Sequence, residues 1–285
     1  MNIQTILLDL DGTTLTPDNQ VAPELNQYLK KLRAAGKHIF VVTGRAEVDA
    51  WDVLPDDFPA EGMVASNGMT IFAGERKIFQ SVLPEALVRR LIDWSEKQKM
   101  YYQLHPIGGK RAILTRDRDY VMDQIHKEKP ASVSINEWRM RRQAVLKDML
   151  WKNTLSEEEI RQIVKMYFFS ENVATMNAWK DALGELQNEF SFDFFSSSHN
   201  NVELVGKSIS KASGIRRLLA HYKLSPDEAL AVGDGENDLP MFRIAGYSAA
   251  MKNAPEHVKA EAKWVTAASY EENGLYQFLR HIFQI

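Results

Sequence analysis

The sequence predicts an α/β fold: a doubly wound parallel sheet, a Rossmann-like core, carrying an inserted α+β domain. Apolar strand runs alternate with amphipathic helices over the first eighty residues, and the same alternation returns after residue 206. Between the two stretches, hairpin and helix signals replace that alternation. At 285 residues the chain also exceeds the roughly 100–200 residues usual for one domain. The core is therefore assigned to 1–82 plus 206–285, and the insert to 83–205.

The elements follow in order. The run Ile3–Leu8 ends in Asp9 and reads as a strand buried on both faces. Pro23 opens a helix whose Leu25, Leu29 and Leu32 recur at helical spacing, with Gly36 placed to cap it. His38–Val42 is a second strand, followed by the turn Thr43-Gly44-Arg45, and residues 62–65 are a third strand running into Ser66-Asn67-Gly68. Strand, helix and strand in this order imply parallel pairing through right-handed crossovers. In the second stretch a helix at about 210–221 precedes a strand at Ala229–Val232, then Gly233-Asp234-Gly235-Glu236-Asn237-Asp238 and a short helix. Strands at 247–251 and 264–266 and a terminal helix ending near Phe283 complete the core.

In the insert, 84–98 is an amphipathic helix, and 100–105 with 110–115 form a hairpin through Gly108-Gly109. Asp117–Lys127 is expected as a helix, 144–150 as a strand, and Ser156–Phe169 as a helix with Glu157, Glu158 and Glu159 in its first turn. Strands at 190–196 and 201–205 close an antiparallel sheet, and Pro130–Arg142 is expected as a surface loop.

Composition narrows the function. The net charge of −3, from 35 basic and 38 acidic residues, offers no field for nucleic acid or an anionic membrane. The absence of cysteine excludes a disulfide scaffold and thiolate metal sites, and it fits a reducing cytoplasm. No stretch approaches the roughly 20 apolar residues of a membrane helix, and the start of the chain lacks a signal-peptide pattern, so a soluble intracellular protein is expected.

Polar residues collect at the strand ends, where open parallel sheets bind ligands. Asp9 and Asp11 follow the first strand, Thr43 the second, Asn67 the third, and Asp234, Asn237 and Asp238 the later one. So many carboxylates repel one another unless a hard cation sits among them, and Mg²⁺ suits an all-oxygen set. Lys211, opening a helix nearby, would balance a phosphoryl group.

The segments DLDGTTL (9–15), VVTGR (41–45), SISKASGI (208–215) and GDGENDLPMF (233–242) resemble the four signature motifs of the haloacid dehalogenase (HAD) superfamily. SNG at 66–68 and MKNAP at 251–255 resemble its Cof-type subfamily, whose members carry an α/β cap between the second and third motifs. The resemblance implies a Mg²⁺-dependent phosphatase acting on a small phosphorylated metabolite, with the insert selecting the substrate. It implies Asp9 as the nucleophile that forms an aspartyl-phosphate and Asp11 as the general acid and base. Thr43, Gly44, Lys211 and Asn237 would hold the phosphoryl group. Asp9, Asp234 and the backbone carbonyl of Asp11 would hold the metal. Asp238, Asn253 and Asn67 would support them from behind.

Lys207, four residues before Lys211, is the alternative lysine, and Lys252 stands where relatives commonly carry glycine. A phosphomutase using the same two aspartates, and a non-catalytic regulatory protein on this fold, are the competing readings. In the insert, His105, Arg111, Arg116 and His199 are possible substrate contacts, although a solvated position is at least as good a reading for each. The run Arg139–Arg142 reads as an exposed basic loop, and Trp94, Tyr101 and Tyr102 as core of the insert.

Overall fold

The computed structural model describes residues 1–133 and 135–285, without the side chains of Asn136 and Met140. The chain forms two compact units, Met1–Gln80 with Ile209–Ile285, and Ser81–Ser208.

In the first unit the order is β1 (Thr5–Leu8), α1 (Pro23–Ala34), β2 (His38–Val42), α2 (Glu47–Trp51), β3 (Gly62–Ala65), β4 (Thr70–Ala73) and β5 (Arg76–Gln80). The second unit contributes α3 (Glu85–Gln98), β6 (Tyr101–Pro106), β7 (Ala112–Leu114), α4 (Arg118–His126), α5 (Ile135–Gln143), β8 (Leu150–Lys152), α6 (Glu157–Arg161), β9 (Ile163–Phe169), α7 (Val173–Leu186), β10 (Phe192–Phe195) and β11 (Asn201–Gly206). The first unit resumes with α8 (Lys211–Tyr222), β12 (Ala229–Gly233), α9 (Leu239–Ile244), β13 (Tyr247–Ala250), α10 (Glu256–Lys259), β14 (Trp264–Val265) and α11 (Gly274–Phe283).

The core sheet runs β14-β13-β12-β1-β2-β3-β4-β5. It is parallel from β14 through β3, while β4 and β5 add an antiparallel edge for which the sequence supplied no expectation. All four residues of β1 are buried, which is why its sequence is continuously apolar instead of alternating. Ile6 and Leu8 face Leu25, Leu29 and Leu32 of α1 and Leu275 and Leu279 of α11. Leu7, Phe40 and Val64 face Ile215 and Leu218 of α8 and Met241 of α9. Each such side chain contributes roughly 1.5–3 kcal/mol by leaving water. From β1 the order proceeds to β2 and β3 on one side and to β12 and β13 on the other. The carboxyl ends of β1 and β12 therefore border the switch in strand order, the crevice where such sheets bind ligands.

The second unit is a six-stranded sheet in the order β10-β11-β9-β6-β7-β8, antiparallel except for the β7–β8 pair. Three expectations change here, and one helix is added. The helix expected over 156–169 stops at Arg161, and Ile163–Phe169 is strand β9. Its start was read correctly, since Ser156 and Glu159 form a capping box. Beyond it, β-branched and aromatic residues pair with β6 on one side and β11 on the other, and that pairing overrides helical periodicity. The strand expected over 144–150 is a turn of π-helix at Ala144–Asp148, with strand only at Leu150–Lys152. Helix α7 went unassigned although Asn172 caps it, accepting from the N–H groups of Ala174 and Thr175. The loop expected over Pro130–Arg142 contains helix α5, and its Ser134 lies outside the described residues.

Arg141 on α5 is buried, not part of an exposed basic loop; its guanidinium lies 3.5 Å from the Phe169 ring centre and 4.4 Å from that of Trp138. Tyr101 and Tyr102 are fully buried, as expected of core residues, and the Tyr102 hydroxyl donates to Asp117 at 2.6 Å.

Candidate active site

The loop after β1 is built by its own polar atoms. The Asp9 N–H donates to the Val232 carbonyl at 3.0 Å, tying the end of β1 to β12. The Thr14 hydroxyl donates back to the Asp9 carbonyl at 2.5 Å, and the Thr13 hydroxyl reaches Asp234 at 3.4 Å. Gly12 turns the chain at φ +71°, and a Cβ there would overlap the Asp234 carboxylate. Glycine at this position thus lets the Asp9 loop close over the β12 loop.

The turns after β2 and β3 interlock. The N–H groups of Ser66 and Asn67 donate to the carbonyls of Arg45 at 2.7 Å and Thr43 at 3.0 Å. Both residues take positive φ, 48° and 54°, a conformation these contacts hold in place. Gly68 follows at φ +105°, where a Cβ would strike the Ser210 carbonyl oxygen. This close approach seats the N-terminus of α8, whose first turn is capped by Ser210 and Ser213. Lys211, the first residue of α8, is thereby delivered into the core.

Its ammonium donates to Asp9 at 2.6 Å and to Asp238 at 2.5 Å, and the lysine side chain is fully buried. The other Asp238 oxygen accepts from the backbone N–H groups of Asp234 and Gly235, each at 2.9 Å. Asn253 donates to the Gly12 carbonyl and to Asp234, each at 3.0 Å. Asn237 donates to Asn67 at 3.2 Å. The Thr43 hydroxyl accepts from the Arg45 N–H at 3.0 Å.

Burial, and next the charge of Asp238, push Asp9 up to about 8 against the opposing pull of Lys211. Asp234 is raised well above the carboxylate range by burial and by Asp9 and Asp238. Burial would lower the Lys211 pKa, but the charges of Asp238 and Asp9 outweigh it and hold the ammonium above the usual lysine range. The cluster thus has more buried negative charge than one lysine neutralises.

Oxygens of Asp9, Asp234 and Asp238 lie within 4.8 Å of one another. The donors are all hard carboxylate oxygens, which suit Mg²⁺. Asp238 already serves Lys211 and two backbone N–H groups, so Asp9 and Asp234 are the carboxylates best placed to hold a cation, with Asp238 orienting the lysine.

A family model described as haloacid dehalogenase-like hydrolase matches residues 6–279. The chain belongs to that family. It is 25% identical over 292 residues to 5-amino-6-(5-phospho-D-ribitylamino)uracil phosphatase YwtE of Bacillus subtilis (strain 168), covering 97% of each chain. It is 27% identical over 281 residues to pyridoxal phosphate phosphatase YbhA of Escherichia coli (strain K12), covering 93% of each. Among solved structures, the HAD subclass IIB sugar phosphatase BT4131 superposes with a TM-score of 0.74 at 22% identity, covering 99% of this chain and all of that one. The chain is thus a HAD phosphatase of the Cof type, with the subclass IIB fold.

In this HAD phosphatase Lys211 lies on Asp9, whereas Lys207 is exposed and paired with Asp193 in the second unit at 2.8 Å. Asp11 is separate from the converging carboxylates: its side chain meets Arg45 at 2.6 and 2.9 Å. Asn67, Asn237 and Asn253 join the network described above, and Lys252 lies at the surface, 3.8 Å from Glu272. Of the insert candidates, His105 is buried, His199 is exposed, Arg116 pairs with Glu96 at 3.0 Å, and Arg111 reaches Gln103 at 3.4 Å. Sequence reasoning quoted Thr13, Thr14 and Arg45 within motifs but gave them no role. The available signal was their adjacency to Asp11 and Thr43 at strand ends. Asn19, which accepts from Arg45 at 2.8 Å, had no such signal.

Proposed function

We propose that this enzyme hydrolyses the phosphate monoester of a small metabolite, a sugar phosphate or a phosphorylated cofactor, through an aspartyl-phosphate on Asp9. The observation that carries the reading is the convergence of buried Asp9, Lys211 and Asp238 with half-buried Asp234 at the ends of β1 and β12. Asp9 attacks phosphorus, the bond to the leaving alkoxide breaks, and Asp11 supplies its proton. Water then attacks phosphorus, Asp11 takes up the proton, and the Asp9–phosphorus bond breaks to release inorganic phosphate. Lys211, Thr43, the Gly44 backbone and Asn237 hold the phosphoryl oxygens, because phosphoryl transfer depends chiefly on positioning and charge. Asp9, Asp234 and the Asp11 carbonyl would hold Mg²⁺, which when bound offsets the charge of carboxylates and phosphoryl oxygens.

The small-metabolite class is supported by the activities for which the two relatives above are named. Among the described residues no helix is long and apolar enough to cross a membrane. A cytoplasmic location accords with the absence of cysteine.

The test is a panel of phosphorylated metabolites assayed for phosphate release with and without Mg²⁺, using wild type and Asp9→Asn. We expect Mg²⁺-dependent release by the wild type and a loss of roughly a thousandfold or more in the variant. Undiminished hydrolysis by Asp9→Asn would refute the covalent mechanism, and an isomerised phosphoester without free phosphate would identify a mutase.

A further inference from the structure

Arg45 grips Asp11 with two parallel bonds, Nε to one carboxylate oxygen at 2.9 Å and a terminal nitrogen to the other at 2.6 Å. That nitrogen also donates to the Asn19 side chain at 2.8 Å, and the remaining one reaches the Asp49 carbonyl at 3.4 Å. The guanidinium side chain is 11% exposed and is held from both sides, whereas the Asp11 side chain it grips is 43% exposed. An anchored fork on a partly exposed carboxylate fixes the position of that carboxylate, and only arginine makes this bidentate contact. Arg45 also donates its N–H to Thr43, and its carbonyl accepts from Ser66, so one turn links the phosphoryl-binding threonine to the Asp11 clamp.

We propose that Arg45 is a positioning residue: it sets where the Asp11 carboxylate sits for both proton transfers, with Asn19 as its brace. The inference rests on the reading of Asp11 as general acid and base given above. In the first transfer Asp11 gives its proton to the leaving oxygen as the phosphorus–oxygen bond breaks. In the second it takes a proton from the water that displaces Asp9 from phosphorus. Arg45 touches neither the phosphorus nor the leaving group in this scheme. Its loss therefore falls on turnover and not on binding.

The experiment compares wild type, Arg45→Gln, Arg45→Lys and Asn19→Ala in steady-state and rapid-mixing assays with p-nitrophenyl phosphate and phenyl phosphate. Nitrophenolate leaves without needing a proton, whereas phenolate benefits from one. Arg45→Gln is expected to lower kcat roughly 10- to 100-fold, with KM within about threefold for phenyl phosphate and falling together with kcat for p-nitrophenyl phosphate as the phosphoenzyme accumulates. With p-nitrophenyl phosphate it should give a burst of one nitrophenolate per enzyme followed by slow turnover, because phosphorylation of Asp9 proceeds while its hydrolysis lags. The loss with phenyl phosphate should be larger, and should be visible already in the first turnover. Arg45→Lys and Asn19→Ala should fall between wild type and Arg45→Gln, and they carry the test if Arg45→Gln does not fold. A change confined to KM, or equal losses with both substrates and no burst, would overturn the proposal. If Asp9→Asn is also active, the underlying mechanism fails; if Asp9→Asn is inactive while the Arg45 and Asn19 variants match wild type, only this inference fails.

Discussion

Gly12 shows how one missing side chain shapes the centre. At φ +71° it lies where a Cβ would overlap Asp234, so Gly12→Ala must both strain the turn and displace a carboxylate. The left-handed conformation alone costs an alanine about 1–2 kcal/mol. The expected outcome is a lower melting temperature, a kcat/KM reduced at least tenfold, and a higher Mg²⁺ requirement. A Mg²⁺ titration of activity alongside a thermal melt checks all three; an unchanged Mg²⁺ requirement would show that Asp234 does not depend on the glycine. At this scale much was legible. Asp9, Thr43, Lys211, Asp234 and Asp238 follow apolar runs, and parallel strands bring their carboxyl ends together. The Arg45–Asp11 grip was not legible, because it depends on which way two side chains turn at the ends of different strands. The choice between Lys207 and Lys211 likewise depends on where β11 ends and α8 begins.

Strand β6 carries a different kind of constraint. His105 is buried there, and burial, together with the nearby charges of Lys165 and Arg111, lowers its pKa well below 6.5. The imidazole is therefore neutral in the folded chain, whereas an unfolded chain binds a proton below about pH 6.5. Stability from this group is present above that pH and is lost as pH falls toward the depressed folded value, with a slope up to about 1.4 kcal/mol per pH unit. His105→Gln should remove this slope. Melts at pH 7.5 and 5.0 should then show a smaller acid-induced drop in the variant than in wild type, and equal drops would refute the assignment. The element scale is also where sequence reading was weakest. Buried β9 contains Lys165 among apolar residues, and its strand character comes from neighbours distant in sequence, β6 and β11. By contrast, β1, β2 and β12 declared themselves, since strands buried on both faces have few alternatives to an apolar run.

For the whole molecule, the decisive feature is that the first unit is discontinuous in sequence while the second is not. A core sheet with only β1, β2 and β3 would leave one side of β1 unpaired, and the strand–helix grammar that returns after residue 206 supplies its neighbour β12. The position of β12 beside β1 has a further consequence for the order of events during synthesis. When Met1–Gln80 leaves the ribosome, β1 still lacks its β12 neighbour, and the hydrophobic faces of Leu7 and Phe40 lack α8. All of Ser81–Ser208 must emerge before either arrives. At roughly 5–20 residues per second this interval lasts many seconds, long compared with the folding of most small domains. The contiguous second unit is therefore expected to fold first on the ribosome. Proteolysis of chains stalled at successive lengths should protect the second unit before any core fragment, with core protection beginning only once Ala229–Gly233 has emerged. A stable Met1–Gln80 fragment in shorter stalled chains would reverse that order. Asp9 is thus among the first residues made, yet Lys211 and Asp234, the side chains it clusters with, are among those for which it waits longest.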